Sequence, residues 1–268
     1  MALGLTYLML FAENVVRLGQ PLLLGWAVND VIRGQRAGLA AFAAGHLMHL
    51  VVRSLRQMYD TRTFSQIYND RVIRLVTRQR KRGVDVSRVA ARAELSRQFV
   101  TFSERQVPAM ITAMFSCLGA LVMLGFYDAL LIAACAVLIL PAVVLNTVYG
   151  RQTLRISLHL HDQFEREVGV VARAEEGEVR GHYERIARLN VRLSDFEAWT
   201  AGIMELFVLA LLVFALVHIG RRPDFLPGDV FAVFRYLLMF VTAVDAVPLL
   251  VERFSRLRDV AQRVQSPG

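Results

Sequence analysis

The sequence predicts an all-α membrane protein: six transmembrane helices, two pairs of which extend into long cytoplasmic helical hairpins. Three observations carry that expectation. Hydrophobic residues make up 55% of the 268 residues and charged residues 20%, with mean hydropathy +0.43. A soluble domain runs about 45–50% apolar and roughly 25% charged. The apolar residues fall in runs of the length a bilayer demands, about 20 residues for some 30 Å of hydrocarbon. The charge collects between these runs and is basic, net +8, with Lys81 the only lysine among 31 basic residues. A pI of about 10.2 could suit a nucleic-acid binder, but basic clusters separated by long apolar runs fit cytoplasmic loops better. Abundant apolar side chains and the lack of low-complexity runs exclude disorder.

The first span is predicted over about 3–32. Residues 1–12 are apolar but carry no basic lead-in and no small-residue cleavage pattern, so they read as the start of a spanning helix rather than a signal peptide. It ends at the turn-like Asn29-Asp30 and Arg33-Gly34. The second span, about 37–60, is apolar through Val52 and continues polar but helical toward residue 80. The third, about 106–126, stops at Gly125-Phe126-Tyr127-Asp128, and the fourth, about 129–150, begins at once with Ala129. The fifth, about 198–219, and the sixth, about 229–250, are separated by Gly220-Arg221-Arg222-Pro223-Asp224 and Pro227-Gly228. Cys117 and Cys135 both lie in apolar stretches, where a small buried hydrophobe is the plain reading; no disulfide framework or zinc spacing exists.

The connections after spans two and four are long, about 61–105 and 151–197. The first contains no proline and one glycine, Gly83, and the second again no proline. In the second, Ile186, Leu189, Leu193 and Phe196 recur at three- and four-residue steps. Asp162→Arg166, Glu176→Arg180 and Glu184→Arg188 place acid four residues before base, the favourable order on a helix. At about 1.5 Å per residue, some 25 extra residues carry a helix roughly 40 Å beyond the membrane. Two amphipathic loops lying flat on the bilayer are the alternative, and the mixed charges speak against it. The long connections hold eleven and eight basic side chains, and the short ones only Arg33, Arg36, Arg221 and Arg222. The positive-inside rule then places both hairpins and both termini in the cytoplasm.

Several stretches resemble the membrane domain of ATP-binding-cassette (ABC) exporters. Leu226-Pro227-Gly228-Asp229-Val230-Phe231 looks like the entry to that family's sixth helix, and Ser255-Arg256-Leu257-Arg258-Asp259-Val260 like its basic exit. Gln66-Ile67-Tyr68-Asn69-Asp70-Arg71 resembles the descending second helix, and Pro21-Leu22-Leu23-Leu24-Gly25 the first. The resemblance covers residues 1–264, leaving 265–268 as a tail, and implies the type-1 exporter fold as a domain-swapped homodimer in a bacterial inner membrane. It implies alternating access, with coupling helices at the hairpin tips, about 83–93 and 175–184, resting on ATPases through Asp85, Arg88, Glu176 and Arg180. The sequence departs from the family in three ways. No G-x-x-x-x-G-K-[ST] phosphate loop occurs, so the chain is not expected to be an enzyme, and ATP and Mg²⁺ would enter only through a partner. The amphipathic elbow before the first helix is missing. The first tip, Val84-Asp85-Val86-Ser87-Arg88, lacks the family's second Gly-Asp pair.

Two energy sources follow. A separately encoded ATPase subunit could drive the dimer, or a proton gradient could, as in some proteins of exporter-like fold. A non-transporting scaffold or sensor is the rival from another class. Proton coupling needs ionisable groups at membrane depth, and the candidates for the substrate or proton pathway are Glu13, Arg17, His46, His49, Glu205 and Asp245. Such residues are costly in the bilayer and normally face the bundle interior with partners. Glu13 and Arg17, four residues apart, read either as a local ion pair facing the cavity or as pathway groups. His46, His49 and Arg53 share a helix face; the histidines suit a proton relay or a structural hydrogen bond, and Arg53 and Arg235 suit snorkelling. Asp245 lies three residues before Pro248, as a cavity-lining charge beside a kink would. His161 and Glu165 could share a metal on paper, but a solvated helix face is the plainer reading, and no metal site is expected.

Overall fold

The computed structural model describes the backbone of residues 2–83, 85–173 and 175–265. Side chains are described within those segments except at 2, 88, 91, 95, 98, 168, 173 and 248–265. Six helices follow one another: α1 (Ala2–Ile32), α2 (Ala37–Lys81), α3 (Val86–Tyr127), α4 (Ala129–Arg173), α5 (Glu176–Gly220) and α6 (Pro227–Gln265). The predicted spans and hairpin arms are thus continuous helices: the 45 residues of α2 run through its apolar and polar halves without a break. Five helices, α2 to α6, contain a stretch long and apolar enough to cross a membrane. In α1 the polar residues Glu13, Asn14, Arg17 and Gln20 interrupt the apolar run.

The chain divides into two compact units, residues 1–132 with 216–268, and residues 133–215. In the first, α1 packs against α2, α6 and α3, and α3 packs along α6. Its core is apolar and aromatic, with Leu10, Leu124, Tyr236, Leu237 and Phe240 all at 1% exposure or less. The Tyr236 hydroxyl donates to the Leu18 carbonyl at 2.8 Å, fastening α6 to α1. The second unit is a helical hairpin. The rings of Tyr149 and Phe196 stack at 6.1 Å, and the Tyr183 hydroxyl donates to Glu167 at 2.8 Å. Ile186, Leu189, Leu193 and Phe196 form the sheltered stripe on α5 that their spacing predicts.

The helix ends show how the short turns are fixed. The first and last turns of a helix leave backbone donors and acceptors unpaired, and these need partners. After α1, Gly34 takes φ 73°, which lets its N–H reach the Val31 carbonyl and the Gln35 N–H reach that of Asp30, a Schellman closure. The Asp30 carboxylate accepts the Gly38 N–H at 2.7 Å, capping α2 from the preceding helix. Asp128 is the single residue between α3 and α4. It ends α3 in an extended conformation and accepts the Leu130 N–H at 2.7 Å, capping α4. At α6, Pro227 stands in the first position, where its missing N–H costs nothing. Asp229 accepts the Leu226 N–H at 3.0 Å, and Asn29 of α1 accepts that of Gly228 at 2.7 Å.

That last contact belongs to a close crossing of α1 and α6. A Cβ on Gly228 would stand 1.9 Å from the Gly25 carbonyl oxygen, and one on Gly25 would stand 2.6 Å from that of Gly228. The two backbones touch there because neither residue carries a side chain, the packing by which helices approach in a membrane without a hydrophobic force to join them.

Candidate functional site

A cavity of about 740 Å³ lies among α1, α2, α3 and α6. Its polar lining includes Arg17 and Gln20 from α1, His46 from α2, Thr112 and Ser116 from α3, and Arg235 from α6; Leu24, Phe42, Leu238 and Met239 supply apolar surface. Among the described residues, none that lines it is a carboxylate. Arg17 reaches across to α3. Its Nη2 donates to the Thr112 carbonyl at 3.1 Å, to the Ser116 hydroxyl, and to Asn14 Oδ1 at 3.0 Å. Asn14 itself is buried and donates to the Leu10 carbonyl at 2.8 Å and the Thr112 hydroxyl at 3.3 Å. Arg17 Nε and Gln20 Nε2 are sheltered from solvent and have no acceptor among the described residues.

Glu13 behaves differently from the local pair its spacing suggests. Its ion pair is with Arg56 of α2, whose Nε contacts Glu13 while Nη1 meets Asp60 at 2.6 Å. All three side chains are at most 18% exposed. The physical reason lies with Arg17, which is held by the carbonyl and hydroxyl groups of α3 and so leaves Glu13 to the guanidinium of α2. The triad holds two carboxylates and one guanidinium, and Arg17, one turn further along α1, balances the remaining charge.

The other predicted residues are dispersed. His46 lines the cavity beside Phe42, ring centroids 6.1 Å apart. His49, one turn on, is half-buried with Nε2 lacking a partner, and is not part of that lining. Arg53 is exposed. Arg235 lines the cavity rather than only snorkelling. Asp245 is exposed on α6, next to the lining residue Ala246 but not itself in the lining. The side chain of Pro248 lies outside the described residues, so the kink expected beside Asp245 does too. Glu205 is exposed on α5, in the other unit. His161 sits 3.6 Å from Glu165 on an exposed face of α4.

At the tips, Asp85 caps α3, accepting the Ser87 N–H at 3.0 Å. The side chain of Arg88 lies outside the described residues. Arg180 and Glu176 form the predicted i,i+4 pair at 3.8 Å, and both are largely exposed.

A cluster that no sequence pattern announced closes the opposite ends of the helices. Asp128 Oδ2 receives His218 Nε2 at 2.8 Å and Arg222 Nη2 at 2.7 Å, so the α3–α4 turn is tied to the end of α5. Nearby, Tyr127 lies against Phe225 and Tyr236 at 6.3 and 6.4 Å. The hydrogen bond from His218, with that from Leu130, holds the Asp128 carboxyl below the ordinary carboxylate range despite desolvation. Because the folded value is the lower one, this anchor stabilises fully above the ordinary carboxylate value of about 3.9 and is lost as pH falls through the depressed one. Thermal unfolding of wild type and Asp128→Asn should therefore differ most near neutral pH and converge in acid; an unchanged gap at pH 3 and pH 7 contradicts the assignment.

Five helices long and apolar enough to cross a membrane mark a multi-pass membrane protein. Residues 1–225 match the family described as ABC transporter transmembrane region, and the chain belongs to that family. The match ends before α6, so the family-like stretches at 226–231 and 255–260 lie beyond it. No curated protein matches the chain.

Proposed function

We propose that this chain is the membrane-spanning subunit of an ABC-type transporter that moves a substrate across a bacterial inner membrane by alternating access. Two copies form one pathway, both termini face the cytoplasm, and a separate ATPase subunit docks under the hairpin tips. Family membership is the observation that carries the reading. The mechanism is rocking of helical bundles about a central cavity, driven from the tips at Asp85, Arg88, Glu176 and Arg180. No phosphate loop occurs within these 268 residues, which supports placing nucleotide hydrolysis in a partner; ATP and Mg²⁺ are then cofactors of the assembly.

Proteoliposomes holding the chain and its ATPase partner test this: flux should require ATP and both components. Glu176→Arg combined with Arg180→Glu should leave folding within about 0.5 kcal/mol of wild type, as for an exposed pair, yet lower ATP-driven flux roughly tenfold through lost docking. Flux unaffected by the double exchange removes the tip from the coupling interface.

Proton coupling is the second reading, and the Glu13–Arg56–Asp60 triad favours it, since it places carboxylates inside the helix bundle. Uptake driven by an imposed pH gradient without ATP selects it. No flux under either driving force leaves a scaffold or sensor.

A further inference from the structure

Resting on the reading of the chain as a transport subunit, we infer that the cavity among α1, α2, α3 and α6 binds an amphiphile through an anionic head, a carboxylate or phosphate.

The lining supplies donors and no carboxylate. Arg17 and Arg235 are guanidiniums, Gln20 an amide donor, and Thr112 and Ser116 hydroxyls. Two donor atoms of lining residues, Arg17 Nε and Gln20 Nε2, are buried and have no acceptor among the described residues. A buried donor without an acceptor costs free energy, and buried polar groups in native proteins are seldom left so. Turning either side chain so that its donor meets an acceptor-rich group in the cavity recovers that cost; a cation or a neutral donor does not.

Charge points the same way. The carboxylates nearest Arg17 along the helix bundle are already engaged: Glu13 and Asp60 share Arg56. The charge of Arg17 is balanced by that triad, whereas Arg235 makes no ion pair among the described residues. Its charge is thus available to a ligand, and guanidiniums suit carboxylate and phosphate because their forked donors match two oxygens at once. His46, which also lines the cavity, adds a donor in either protonation state. Asp229 and Asp245, the acidic residues on α6 whose side chains are described, both lie outside the lining.

The rest of the wall is apolar. Leu24, Phe42, Leu238 and Met239, with several alanines, offer more apolar than polar surface, and at about 740 Å³ the cavity falls in the size range of small-molecule sites. An anionic head among the arginines and a short hydrocarbon chain against this wall satisfy both parts.

The test uses the full chain in phosphatidylcholine nanodiscs with three fluorescent probes. These are 11-(dansylamino)undecanoic acid, its methyl ester, and the analogue with a quaternary ammonium head. The acid should bind saturably and at least roughly tenfold more tightly than either analogue. Arg235→Gln should remove about tenfold of that affinity, one charge-assisted contact's worth. Arg17→Gln also breaks the tie to α3, so Arg235→Gln, whose side chain makes no ion pair among the described residues, is the decisive variant. Equal binding of the acid and its ester, binding of the acid unaltered in Arg235→Gln, or no saturable binding of the acid each overturns the inference. The readout is equilibrium binding. Charge-selective binding without flux leaves the inference and removes the transport reading; flux without charge selectivity does the reverse. Inorganic phosphate at millimolar concentration distinguishes the sources: displacement of the acid by phosphate alone assigns the site to a free anion rather than an amphiphile's head, and retention assigns it to the amphiphile.

Discussion

Arg56→Met should cost the protein about 3–5 kcal/mol, the usual result of removing one partner from a buried ion pair and leaving charge behind. Here two carboxylates, Glu13 and Asp60, would lose the guanidinium they share, and both are largely buried. The cost comes from stranded charge more than from a lost attraction, which gives the prediction a second arm. Arg56→Met combined with Glu13→Gln and Asp60→Asn should recover part of the loss, because no carboxylate is then stranded, although Arg17 loses the charge that balances it. Unfolding monitored in detergent, with the midpoint corrected for any change in slope, measures both. A single variant as stable as wild type, or a triple variant no better than the single, shows that the triad does not hold α1 to α2. Glu13→Gln alone should be milder, since Arg56 keeps Asp60.

The second large effect is expected at Gly228. Even alanine there places a Cβ 1.9 Å from the Gly25 oxygen and 2.7 Å from Asn29 Oδ1. Overpacking a core typically costs about 1–3 kcal/mol. The obstacle here is backbone, which cannot step aside as a side chain can, so Gly228→Ala should fall at or above the top of that range. α6 would also lose the cap that Asn29 provides to the Gly228 N–H. Gly202 on α5 is the control: nothing lies within 4 Å of its added Cβ, and alanine there should be neutral or stabilising by about 0.5–1 kcal/mol. Size-exclusion profiles after graded heating compare the two. Gly228→Ala with an unshifted midpoint would mean that α1 and α6 do not touch at this point.

The helices were legible because their signals are local. Twenty-residue apolar runs, the absence of proline from the hairpin arms and the three-and-four stripe ending at Phe196 each lie within one segment. The turns were legible for the same reason, down to Asp128 as the boundary between α3 and α4. Partner choice was not. Glu13 and Arg17 stand at the spacing of a local pair, yet Glu13 binds Arg56, 43 residues away, because the Thr112 carbonyl and the Ser116 hydroxyl claim Arg17. Those acceptors become visible only once α3 lies beside α1. Arg56 and Asp60 stood near the end of the predicted second span, where charge is ordinary and attracts no notice. The same holds for His218 and Arg222, which join Asp128 across about 90 residues. Of the cavity, the sequence singled out Arg17 and His46 and read Arg235 as snorkelling, while Gln20, Thr112 and Ser116 are common residues whose role depends on which face they present.

The one-residue junction at Asp128 also sets a mechanical ratio. α3 runs 42 residues from that anchor to Val86, a rod of about 60 Å at 1.5 Å per residue. If its anchored end serves as the fulcrum, a tilt of only about 5° sweeps the far end through about 5 Å, one helical pitch. Small angular play at a tightly knotted end is thereby magnified into a displacement of about one helical turn at the far end.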